Sequence, residues 1–211
     1  MMNILKFTTG TIESSVNTYK NLKVNFLGDN SKVIINSSLV ITKRIQLDVG
    51  DNSEIIIGKN CKIRELYANI HQNHFEIGEH VYIGSCLCYA HRCKGTPIYI
   101  GSHSMLSLGI TIRASDEHTI YDLGDPTVAV NLRRGGVRIG TQVWVGDGVY
   151  FGKNSCIPNN CIVGARSVVT KNFTEENCIL AGVPAKIIRT NVGWARTPPD
   201  LYQENMNDKG I

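Results

Sequence analysis

His118 is the residue in this 211-residue sequence whose type and setting best suit proton transfer. It follows Asp116 and Glu117 and opens a stretch that ends at Gly135-Gly136 and holds Tyr121, Asp122, Asp125, Pro126, Arg133 and Arg134. Imidazole titrates near neutral pH, so a histidine can take a proton from a hydroxyl as that hydroxyl reacts, without prior ionisation. Asp116 lies two residues earlier and so on the same side if the segment is extended. It either holds the imidazole tautomer by accepting a hydrogen bond or caps the turn. Residue type alone favours an ordinary loop histidine at 118; its place in the chain argues for more. His71, His74, His80, His91 and His103 lack such a setting and read as surface or coil-corner residues.

That place is defined by a repeat. From Ile139, every sixth residue is apolar: Val145, Phe151, Ile157, Val163 and Val169. The residues that follow them are Gly140, Gly146, Gly152, Pro158, Gly164 and Thr170. Ile100-Gly101, Leu106 and Ile112 keep the same step, as do Ile77-Gly78 and Ile83-Gly84, while Ile57-Gly58 leads to Ile63. Val49-Gly50 and Leu27-Gly28 read as looser copies. A period of six fits neither a helix nor a hairpin ladder. It predicts an all-β fold, a parallel solenoid whose triangular coil takes about eighteen residues, with aliphatic side chains inside and glycine tolerating the corner dihedrals. The pattern predicts a domain over 22–189, on the order of nine coils counting loops. One loop, 118–136, is extruded. Loops of this length in a compact solenoid are commonly functional. Residues 1–21 read as an N-terminal cap, with Thr11–Tyr19 a short helix or part of the cap. Residues 190–211 read as a tail in which Thr197-Pro198-Pro199 stops regular structure.

Composition narrows the function. The net charge is +4 with no run of five like charges, which gives nucleic-acid binding little support and leaves room for an anionic small molecule or acidic glycan. The seven cysteines are scattered, and Cys86, Cys88 and Cys93 lack zinc-ribbon spacing, so they read as small core residues rather than metal ligands or disulfides. The first 30 residues hold no long apolar stretch, so neither a signal peptide nor a transmembrane helix is expected and the cytoplasm is the default location.

The aliphatic-glycine repeats, Asp116-Glu117-His118 with its loop, Val143-Trp144-Val145-Gly146 and Ala181-Gly182-Val183-Pro184-Ala185-Lys186 resemble the hexapeptide-repeat acetyltransferases. Within them, and with Trp194-Ala195-Arg196, the chain looks most like the bacterial O-acetyltransferases of sialic-acid capsules. The resemblance implies a left-handed parallel β-helix, a homotrimer with active sites between subunits, acetyl-CoA as donor, no metal, and His118 as the general base. It also implies that Trp144, which should point out of the prism, lies beside the reacting centre; an outward Trp is otherwise a subunit-interface anchor.

Gly146, Gly164 and Gly182 are spaced by 18 and should stack into a line along which a pantetheine arm approaches the backbone, with Ala165 contributing. Corners needing glycine would explain the same spacing at Gly146 and Gly164. Lys171 and Lys186 are candidates for the phosphates of coenzyme A, against a default of solvated lysines. Arg133 and Arg134, with Arg138, either hold an acceptor carboxylate or are solvated loop residues. Rival readings are acetyl transfer to another sugar or nucleotide sugar, a non-enzymatic solenoid scaffold, and a γ-type carbonic anhydrase. The last needs three zinc-binding histidines, whereas no histidine follows His118.

Overall fold

The computed structural model describes residues 3–9, 12–14, 20–132 and 135–208. The chain winds into a parallel β-helix of about 7 turns and triangular section. The first face stacks Ile4–Thr9, Lys32–Asn36, Glu54–Ile57, His74–Ile77, Ile98–Ile100, Val137–Ile139 and Cys156–Ile157. The second and third faces share long bent strands low in the stack, Val40–Val49, Lys62–Ile70 and Tyr82–Ala90. Higher up, these faces separate. The second carries Met105–Leu106, Trp144–Val145, Ile162–Val163 and Ile179–Gly182. The third carries Ile110–Arg113, Tyr150–Phe151 and Val168–Val169.

The inward positions are those the six-residue step marks. Ile139, Val145, Phe151, Ile157, Val163 and Val169 are all buried, in one continuous column with Ile57, Ile63, Ile77, Ile83, Ile100, Leu106 and Ile112. Burying each such side chain contributes about 1.5–3 kcal/mol. Leu27 departs from the pattern: it is 61% exposed, because Phe26 rather than Leu27 registers with the inward Val49.

The coils number about 7 rather than nine because the early ones are longer and the coil from Ile100 to Ile139 holds the extruded loop. Asn30 meets Asn52 at a spacing of 22 residues, whereas Thr141 meets Asn159 at 18. The small residue after each aliphatic also has a different task from the one expected. Gly101, Gly140 and Gly146 do not hold positive φ; they are bare because the next rung lies on them. A Cβ at Gly101 would stand 2.4 Å from the Gly140 carbonyl carbon, and one at Gly146 would stand 2.7 Å from the Ala165 nitrogen. The positive φ falls two residues past the glycine, at Asn60, His80, His103 and Gln142, and two past Pro158 at Asn160, along one edge. Asparagine tolerates this region better than most residues.

Both ends depart from expectation. Ile4–Thr9 is itself a rung, parallel to Lys32–Asn36, and 12–14 is a strand folded back upon it rather than a helix. At the other end Ala185–Arg189 returns antiparallel on Ile179–Gly182. The tail then straps the edge between the first and second faces. Val192 N–H donates to Asn177 O (2.9 Å), the Trp194 indole N–H to Gln142 O (2.8 Å), and the Arg196 guanidinium to His80 O (3.2 Å) and His103 O (3.3 Å). It closes in the α-helix Pro199–Asp208, which Pro199 starts rather than prevents, since the first helical residue needs no N–H partner.

Where the extruded loop rejoins the coil, Gly136 stacks on Pro97, and a Cβ there would lie 1.6 Å from the Pro97 oxygen. Gly136→Ala must displace a rung that Val137 N–H holds to Pro97 O at 2.8 Å. Urea or thermal unfolding should show a loss of about 3 kcal/mol; a loss below about 0.5 kcal/mol would show that the return is pliable.

Candidate active site

The corner between the third and first faces carries two insertions, one above the other. The lower runs from Ala90 to Ile98 and the upper is the loop after Ser115. Between them is a cavity of about 290 Å³ lined by Arg92, Lys94, Ser115, Asp116, Glu117 and His118, among others, with Asn131 and Lys153 closing it from the loop's return and the next coil.

The loop base is locked through backbone and carboxylate. His118 N–H donates to Asp116 O (2.7 Å), and Asn131 Nδ2 donates both to His118 O (2.9 Å) and to Asp116 Oδ2 (2.9 Å). Lys153 Nζ also binds Asp116 Oδ2 and reaches Asn131 O at 3.0 Å. Burial pushes the Asp116 carboxyl up, but the bonds from Lys153 and Asn131 outweigh it and hold the group below the usual carboxylate range. The aspartate therefore spends its charge on the turn and the loop. The His118 imidazole has no hydrogen-bond partner among the described residues and faces solvent in the cavity. Beyond it the loop is a narrow hairpin with Tyr121 bridged to Ala129. Its apolar side chains are bare, with Leu123 88% and Leu132 68% exposed.

Glu117, in the left-handed region at φ 65°, turns away from His118 to Arg113 and lies 3.6 Å from His91 Nε2. Burial lowers the His91 pKa, with the Glu117 charge working against it, and favours the neutral ring.

The other expected site residues gather elsewhere. Trp144 stands outward on the second face, 39% exposed, its ring 6.1 Å from that of Trp194. Gly146, Gly164 and Ala165 follow it at the edge between the second and third faces. Gly182 does not extend this line. The last coil takes 17 residues, as the Asn159–Glu176 bond shows, so Ala181 stacks on Gly164, and Gly182 instead turns the terminal hairpin at φ 106°. Lys186 pairs with Ala181 and stands at the upper end of the line. Lys171 does not join it. It lies at the His118 corner, its ammonium 5.0 Å from the Phe173 ring centre. In a triangular coil, the corner that carries His118 is opposite the face that carries Trp144, so one chain does not bring them together.

Arg133 and Arg134 lie outside the described residues. Arg138 stacks at 4.3 Å on Tyr99 on the first face, away from the cavity. Sequence reading missed Arg92, Lys94, Asn131 and Lys153; the signal for the first two is the long connection from Ala90 to Ile98. The cysteines are poor nucleophiles by setting: burial pushes the Cys178 thiol up to about 12 and also raises Cys61 and Cys156. Among the described residues no group of three His, Cys, Asp or Glu side chains is placed to hold a metal ion. Among the described residues no helix is long and apolar enough to cross a membrane.

No profile of a known protein family matches the chain. It is 34% identical over 195 residues to the polysialic acid O-acetyltransferase of Neisseria meningitidis, covering 82% of this chain and 88% of that protein. It is 33% identical over 142 residues to the polysialic acid O-acetyltransferase of Escherichia coli O1:K1, covering 67% of this chain but only 44% of that longer protein. Among solved structures, it superposes on the polySia-specific acetyltransferase NeuO with a TM-score of 0.77 at 28% identity, over 99% of this chain and 94% of the other. For the polysialic acid O-acetyltransferase OatWY the values are 0.62 and 26%, with both chains fully covered. With the repeat, the extruded loop and these likenesses together, the chain belongs to the hexapeptide-repeat acetyltransferases of left-handed parallel β-helix fold, alongside the polysialic acid O-acetyltransferases.

Proposed function

We propose that the chain transfers the acetyl group of acetyl-CoA to a hydroxyl of capsular polysialic acid, with His118 as general base. The observation that carries this is the His118 cavity: a solvated imidazole on a backbone locked at both sides, between two loops that leave room for a sugar. The acceptor hydroxyl gives its proton to His118 as its oxygen attacks the acyl carbon, and His118 returns that proton to the departing sulfur. Acetyl-CoA, when bound, supplies the thioester. The column Gly146, Gly164 and Ala181 fits its arm, because no long side chain stands along that edge, and Lys186 at the upper end suits its phosphates.

The separation of His118 from Trp144 supports a second copy in each site. A corner that packs on a face is a heterologous contact, and such contacts close into rings; with triangular prisms the ring of three is the natural closure. The bare apolar loop, Leu123 and Leu132 above all, is the kind of surface a neighbour covers. In the trimer, the Trp144 indole N–H of the partner subunit donates to the oxygen on which charge develops. The reaction belongs in the cytoplasm, where acetyl-CoA is made.

The test is acceptor-dependent release of free thiol from acetyl-CoA by the purified chain, with polysialic acid, short sialic-acid oligomers, neutral galactosides and nucleotide sugars in parallel. Release with polysialic acid well above the others is expected. Release with a neutral sugar instead would favour the alternative acceptor, and none with any glycan would favour a scaffold.

A further inference from the structure

The cavity beside His118 has an unbalanced charge, and its lower wall is built rather than loose. Two of its carboxylates are already matched within the chain: Asp116 by Lys153, and Glu117 by Arg113. Arg92 and Lys94 also line the cavity, and neither has a carboxylate partner among the described residues. They stand on the short insertion between Ala90 and Ile98, which one buried side chain shapes. Asn73 is 7% exposed and occupies the corner position that Ser31 and Ser53 hold in the coils below. Serine there reaches one rung up; asparagine reaches further. Asn73 Nδ2 donates to His71 O (2.8 Å), Ala90 O (2.9 Å) and Cys93 O (2.7 Å). Its Oδ1 accepts from Thr96 N–H at 2.6 Å, and Thr96 Oγ1 closes the insertion on Cys93 O at 3.1 Å. Arg92 and Lys94 therefore flank Cys93, whose carbonyl is pinned twice, so the cations are presented in a set place at the mouth of the cavity.

We infer that Arg92 and Lys94 form the carboxylate-binding subsite for the acceptor, the feature that makes this pocket select an acidic sugar over a neutral one. A guanidinium pairs with a carboxylate through two parallel bonds, and a lysine adds a mobile point charge beside it. The subsite lies on the same chain and corner as His118, so a sugar anchored there presents its hydroxyls to the base of that same subunit. This rests on the reading of the acceptor as a sialic-acid polymer.

The experiment uses the purified full chain with acetyl-CoA and two acceptors, polysialic acid and the same polymer with its carboxylates reduced to alcohols. Wild type should prefer the acidic polymer by about tenfold or more in kcat/KM. Arg92→Gln with Lys94→Gln should raise the KM for polysialic acid by about tenfold, keep kcat and the KM for acetyl-CoA within about twofold, and erase the preference between the polymers. Both side chains are exposed, and an unchanged Tm would show that the fold is intact. Arg92→Lys should keep part of the preference, which a merely structural role would not predict. A double variant with unchanged KM and unchanged preference would remove the subsite while leaving the acceptor reading in place. A wild type that acetylates neutral glycans and not polysialic acid would overturn the acceptor reading and the subsite with it.

Discussion

Alanine at position 118 should lower kcat for acetyl transfer by about 10²–10⁴-fold, the range a positioned general base contributes. The loss should fall on kcat rather than on either KM, because a general base acts as the proton moves and anchors neither substrate. The fold gives no route for an indirect effect. The ring is exposed and has no hydrogen-bond partner among the described residues, so its removal leaves no buried group unpaired. What holds this segment is backbone: the Asn131 amide on His118 O and the turn onto Asp116 O, both of which alanine keeps. Tm and oligomeric state should therefore match wild type. His118→Gln, which retains a polar side chain of similar reach without the basicity, should be as inactive as alanine. Steady-state thiol release with polysialic acid reads both variants, and retention of more than about a tenth of wild-type kcat would sink the assignment.

The fold was legible where the coil length is constant. From Ile139 to Val169 each coil takes 18 residues, as Thr141 and Asn159 show, so stepping by six lands on the buried column without correction. Below Ile100 the coils lengthen, to 22 residues between Asn30 and Asn52, and the extra residues lie in strands that bend round a corner instead of breaking at it. A fixed step overcounts coils there and mistakes Leu27 for an inward residue. One deletion at the top has the opposite effect. The coil closing on Asn159–Glu176 is shorter by a residue, so the even spacing of Gly146, Gly164 and Gly182 misleads: the terminal hairpin needs Gly182 for its turn and leaves Ala181 in the column.

The candidate site was legible in part for the same reason. A loop as long as 118–136 interrupts any six-residue count, so His118 shows itself. The insertion carrying Arg92 and Lys94 is only a few residues longer than the connection from Ile70 to His74 and passes for a phase slip. Lys153 and Asn131 are ordinary polar residues until the loop folds back, at separations of 37 and 15 residues from Asp116. Sequence left Asp116 open between orienting the imidazole and capping the turn. The structure gives its carboxylate to Lys153 and Asn131, a long-range arrangement that local spacing does not encode.

Two inactive variants should restore activity when assembled together, and the amount restored tests the architecture. His118→Ala and Trp144→Ala are each expected to lose transfer, since in the proposed trimer either removal spoils every site. Within one chain, however, His118 stands at the corner opposite the face of Trp144. If each site joins His118 of one subunit to Trp144 of the partner subunit, mixed assemblies contain sites built from the two intact residues. In an even random mixture, each site draws an intact histidine half the time and an intact tryptophan half the time, so about a quarter of wild-type activity should return. The complementary mixture, wild type with the double variant, separates the two arrangements independently. Sites shared between subunits should again give about a quarter of full activity, whereas sites contained in single chains should give about half. Co-expression at equal levels, with activity read on the whole unfractionated assembly per total subunit, allows both measurements. No recovery in the first mixture with half activity in the second would place both residues in one chain's site, and would require the Trp144 face to reach His118 by a rearrangement of the coil.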